Sequence, residues 1–213
     1  MKFYRNLFVI FSLLFSCQSF ASDSVREKLI AEELRLEDLG DFSGAADVGK
    51  KILRINPKDS QTLNVIAGLY GKLGRYEDEV IWAKKAISID KNFYLAHNNL
   101  GNALFYLGKL DDARNSFETA RTLSPRDPLP VYSLGTLAEE RHDLSMAIAY
   151  FERSIELDPK FEPGMFSLAA MYANAKKYDA AIATLDKLLL LNPRAQDAIE
   201  MRNQIETAMS QAK

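Results

Sequence analysis

Apolar side chains along this chain recur three and four residues apart, and the recurrence is broken at regular places. Between His97 and Pro125, Leu100, Gly101 and Leu104 fall on one face of a first helix, Gly108 breaks it, and Ala113, Phe117 and Ala120 share a face of a second. The pattern predicts a helical hairpin with small residues where its two helices cross. One stride later Val131, Leu134, Gly135, Ala147, Phe151 and Pro159 occupy the same slots.

Proline measures the stride. Pro57, Pro125, Pro159 and Pro193 stand on a 34-residue grid, with Lys91 in the slot where proline is absent. The crossing slot holds Ala67, Gly101, Gly135 and Ala169, and the small slot early in the second helix holds Ala45, Ala113, Ala147 and Ala181. Phe42, Tyr76, Leu110, Leu144 and Tyr178 follow the hairpin turns. Small side chains let helix axes approach to about 8 Å, so these positions read as core. Period and slots together resemble the tetratricopeptide repeat (TPR) family over residues 26 to about 195. The resemblance implies an all-α, right-handed superhelical solenoid of about five helix hairpins, spanning 26–59, 60–93, 94–127, 128–161 and 162–195.

Some residues depart from the pattern. Glu32 and Glu33 stand where Leu and Gly are expected, so the first repeat reads as a divergent cap or a shifted hairpin, with both carboxylates in water, because a lone buried carboxylate is costly. Glu79 replaces the second-helix alanine of repeat two, and Arg121 an apolar residue of repeat three. After Pro193, Ala195, Ala198, Ile199, Arg202, Ile205 and Met209 form a stripe with Gln196, Asp197, Glu200, Asn203 and Gln211 behind it. This predicts an amphipathic capping helix over 196–213 that closes the apolar end of the array.

The front of the chain belongs to no repeat. Lys2 and Arg5 precede an apolar run from Leu7 to Phe15, and Ser19-Phe20-Ala21 presents small residues as an export signal cut after Ala21 does. The run falls short of the roughly 20 residues of a spanning helix. Leu14-Phe15-Ser16-Cys17 also resembles a bacterial lipobox, which would acylate Cys17 and anchor the mature protein. The two processing routes predict, respectively, a periplasmic protein and an outer-membrane lipoprotein facing the periplasm. Cutting at Ala21 removes the single cysteine and with it disulfides, thiol catalysis and cysteine metal sites. It also leaves 25 basic against 29 acidic side chains, a net charge of −4 with no electrostatic footprint for nucleic acid.

In the TPR family the first helices of successive hairpins line a groove. The resemblance carries that role to Asn64, Gly68 and Lys72, to Asn98, Asn102, Phe105 and Tyr106, to Tyr132, Thr136 and Glu139, and to Phe166 and Asn174. Amides can bond an extended backbone and aromatics supply large anchors, which suits a peptide or a protein segment. Lys72 is the one basic residue of the set, so the family's clamp for acidic C-termini is not expected here.

Catalytic and cofactor chemistry finds no support. His97 and His142 lie in different repeats without an i, i+4 histidine, which argues against a zinc site. Gly49-Lys50, Gly71-Lys72 and Gly108-Lys109 do not fit a phosphate loop, and the runs Glu32-Glu33 and Glu139-Glu140 read as solvated faces. The expectation is a non-catalytic, cofactor-free adaptor of the cell envelope that binds a protein or peptide in its groove. The alternative is a lipid-anchored assembly factor resembling the pilotins of type IV pili, with self-association left open.

Overall fold

Helices begin at Ser60, Tyr94, Pro128, Glu162 and Gln196, one full stride apart. The computed structural model describes residues 24–211, all helix and turn with no strand among them. A first helix α1 covers 24–38 and pairs in sequence with α2 (Phe42–Ile55). The hairpins that follow are α3 (Ser60–Lys72) with α4 (Tyr76–Ile89), and α5 (Tyr94–Tyr106) with α6 (Leu110–Leu123). Next come α7 (Pro128–Glu140) with α8 (Leu144–Leu157), α9 (Glu162–Asn174) with α10 (Tyr178–Leu191), and the single α11 (Gln196–Gln211). The chain forms two compact units, Met1–Asn99 and Leu100–Lys213, with the boundary inside α5.

Turn chemistry ends each first helix by the same device. After α5, Gly108 takes φ 72°, its N–H donates to Phe105 O at 2.9 Å and the N–H of Lys109 donates to Leu104 O at 2.9 Å. These paired bonds satisfy carbonyls that the helix end would leave orphaned. Residues 40, 74, 142 and 176 repeat the geometry, but in the last two slots the left-handed residue is His142 or Lys176, each at φ 59°. A side chain in that region costs about 1–2 kcal/mol. His142→Gly and Lys176→Gly should therefore each stabilise the second unit by about 0.5–1 kcal/mol, the gain being trimmed by glycine's larger unfolded-state entropy. Urea midpoints that fall in both variants would contradict this.

Hairpin packing depends on a large residue facing a small one. A methyl group at Gly101 would lie 2.5 Å from the Phe117 ring, and one at Gly135 would lie 2.5 Å from the Phe151 ring. Both rings are wholly buried, so the glycines are where the phenylalanines fit. At the far end, Ala198 and Ile205 of α11 pack with Met165, Ala169, Leu185 and Leu188, while Arg202 leaves the apolar stripe to pair with Asp186 at 2.7 Å. Arg121 likewise turns outward, to Glu118 at 2.7 Å.

The first repeat corrects the sequence reading. Glu32 is exposed, but Glu33 is buried at 5% exposure, and its Oε1 has no hydrogen-bond partner. A methyl at Gly49 would lie 2.8 Å from that oxygen. Gly49 occupies the slot that Phe117 and Phe151 fill two and three repeats later, and Glu33 the slot of Gly101 and Gly135. Large and small have exchanged sides of the crossing, so the glutamate stem fills the room the missing ring leaves. Burial, reinforced by Glu37 and Asp59, pushes the Glu33 carboxyl up to about 7. Glu79 is a second case: it is 3% exposed over Gly71, where a methyl would lie 2.6 Å from its Oε2, and burial pushes it up to about 8.

Candidate functional site

The first helices of the second unit's hairpins set side chains around three cavities that share walls. Asn102, Phe105, Tyr132 and Thr136 border the smallest, of about 210 Å³. Phe105 and Thr136 also border one of about 500 Å³, together with Glu139, Glu140, Leu144 and Met171. Tyr132 also borders the largest, about 710 Å³, with Phe161, Phe166 and the first turn of α11. Shared residues join the three into one line along α5, α7 and α9, with amides and hydroxyls between aromatic and aliphatic walls. Recognition sites favour this mixture of apolar surface and a few placed polar groups.

Tyr132 is the hinge of the arrangement. Its ring lies 5.5 Å from that of Phe161 in an edge-on contact and 5.5 Å from buried Phe151. The Ser167 hydroxyl donates to the Tyr132 hydroxyl at 3.4 Å, and the Thr136 hydroxyl donates to Tyr132 O at 3.4 Å. A wall held from several sides is preorganised, which lowers the ordering cost of binding. Burial, and then Glu140, raise the Glu139 carboxyl above its ordinary range.

Eight of the twelve predicted groove residues, Asn102, Phe105, Tyr106, Tyr132, Thr136, Glu139, Phe166 and Asn174, thus border the joined cavities. Asn64 belongs to the first unit, where Asn99 Nδ2 donates to its Oδ1 at 2.9 Å. Asn98 is a correction: at 1% exposure its side chain is packed away, and a docked segment has no surface of it to touch. Cys17 and the export signal fall outside the described residues. The sequence reading missed Phe161, which lies in the turn before α9 and outside the first-helix register; its place two residues after Pro159 was the available signal. Among the described residues no group of three His, Cys, Asp or Glu side chains is placed to hold a metal ion.

Known proteins share both the repeat and the fold. Family models described as "Tetratricopeptide repeat" match residues 98–160, and residues 60–93 and 163–194, together more than half of the chain. "Cellulose synthase operon protein C" of Pseudomonas fluorescens is 24% identical over 204 residues, 92% of this chain. The chain spans only 16% of that relative's length. A thermophilic TPR protein of Thermus thermophilus superposes with a TM-score of 0.76 at 19% identity, over 86% of this chain and 98% of its own. Pseudomonas aeruginosa pilF superposes with a TM-score of 0.70 at 18% identity, over 89% and 86%. At those identities the two structures establish the fold. On the matched repeats and that fold, this chain belongs to the tetratricopeptide repeat family.

Proposed function

We propose that the protein is a non-catalytic scaffold that holds an extended segment of a partner protein along the joined cavities of its second unit. TPR proteins act generally in protein–protein interaction, and the observation that carries the specific reading is the continuity of the three cavities through Tyr132, Phe105 and Thr136. A line of alternating pockets and polar groups suits successive side chains of a strand-like segment, with the Asn102 amide free to bond its backbone. The 1–21 stretch, read as an export signal, supports a periplasmic setting for this activity.

The test is site-specific crosslinking. A photoreactive side chain at position 105 or 136 should give discrete adducts with the partner, and one at Lys84 in the first unit should not. Asn102→Ala combined with Phe105→Ala should leave helicity and melting nearly unchanged and weaken the isolated partner's binding by more than about 2 kcal/mol. Adducts from position 84 alone, or unchanged affinity of the double variant, would move the interface elsewhere.

Cys17 supports a second reading, in which the same scaffold is lipid-anchored and assembles a larger envelope machine. Palmitate incorporation that disappears in Cys17→Ser decides for it; incorporation in neither protein decides against the anchor.

A further inference from the structure

The ionisable side chains around the joined cavities are unevenly signed. Asp158, Glu162 and Asp197 border the largest cavity against Lys160 alone, and Glu139 and Glu140 border the second, where His142 is the one basic side chain. None of these five carboxylates takes part in an ion pair among the described residues. Four of this unit's seven arginines spend their charge elsewhere, Arg121 on Glu118, Arg141 on Asp111, Arg153 on Glu156 and Arg202 on Asp186, and Arg114, Arg126 and Arg194 border neither cavity. The acids that keep an uncompensated charge thus include those beside the aromatic walls: Tyr132, Phe161 and Phe166 in one cavity and Phe105 in the other.

We infer that the groove selects a basic segment, seating arginine or lysine side chains of the partner against these rings with the flanking carboxylates as counter-charges. The inference rests on the groove reading above and adds the chemistry of the occupant. A cation over an aromatic face is attracted by the ring's electron-rich face, more strongly as it is desolvated, and a guanidinium can stack on the ring while forking to a carboxylate. An acidic segment would meet like charge at both cavities and is disfavoured. Glu139 adds to the argument: although its side chain reaches solvent, partial covering by its surroundings and then Glu140 hold its carboxyl above the ordinary range, and an incoming cation offsets both charges at once.

Selection of a random peptide library displayed on phage, with the whole protein as bait, tests this. The selected pool should be enriched in arginine and lysine over the input. The shape-conserving variant Glu139→Gln, Glu140→Gln, Asp197→Asn, all at exposed positions, should lose that enrichment. It should also bind the selected peptides about tenfold more weakly at low salt, with the difference shrinking as salt screens the charges. A pool without basic enrichment whose binding is lost in Asn102→Ala/Phe105→Ala would leave the groove standing and overturn its preference for basic segments. A pool indifferent to that double variant, or no selected pool at all, would overturn the groove reading itself and this inference with it.

Discussion

Acidification from about pH 8 to about pH 5 should stabilise the first unit, by at least about 3 kcal/mol. Glu33 and Glu79 have an ordinary value of 4.5 when the chain is unfolded and are pushed up to about 7 and about 8 in the fold. Below 4.5 both are protonated in both states and folding carries no charge penalty. As pH rises above 4.5 the unfolded chain ionises first, so stability falls continuously until the folded carboxyls ionise, and is level above about 8. At about 1.4 kcal/mol per tenfold change in the proton equilibrium, two such groups contribute several kcal/mol. Asp59 works in the other direction in a different window. Burial alone would raise it, but bonds from Arg26 and Thr62 outweigh that and lower it, so its contribution is lost only in stronger acid. The single tryptophan, Trp82, lies in α4 and stacks on Tyr70 at 6.4 Å, so its fluorescence in urea titrations reads this unit directly. Glu33→Gln combined with Glu79→Gln should flatten the pH profile. A native protein whose midpoint is level or rises between those pH values would show that neither carboxyl is buried as charge-averse.

Helix starts were legible because proline, the small crossing residues and the residue after each turn all mark the same 34-residue interval. Slot-by-slot comparison works for features that repeat within a slot. It is blind to fit between slots, and Glu33 shows why: a glutamate in a glycine slot looks misplaced until Gly49, sixteen residues on, is seen to leave the matching void. The left-handed turn position escaped for a related reason, since His142 and Lys176 adopt a conformation that Gly40, Gly74 and Gly108 advertise by composition. Among the site residues, Phe105, Tyr132 and Thr136 follow from first-helix register, whereas the same register placed Asn98 in a groove and the packing put it in the core. One residue is about 100° of helix rotation, so Asn98 is buried while its neighbour Asn99 reaches Asn64.

Size complementarity at the crossing has its own expected result. Gly135→Ala should cost the second unit about 1–3 kcal/mol, because the added methyl meets the edge of an immobile ring. Phe151→Ala should cost about 3–5 kcal/mol through the cavity it opens. Combined, Gly135→Ala and Phe151→Leu should be less damaging than the sum of the single changes by about 1 kcal/mol, since the smaller leucine yields the space the methyl needs. Trp82 lies in the other unit, so the measurement is hydrogen exchange of α7 and α8 amides, whose opening free energies report the local change. Additive costs would mean that the clash is relieved by backbone movement and that Gly135 serves something other than the ring. The same variants bear on binding, because Phe151 is one of the two rings that hold Tyr132, and Tyr132 is shared by two of the three cavities. Phe151→Ala should therefore weaken a groove-bound peptide although no partner touches position 151, whereas Phe151→Leu, which keeps Tyr132 supported, should leave the peptide's affinity close to that of the native protein.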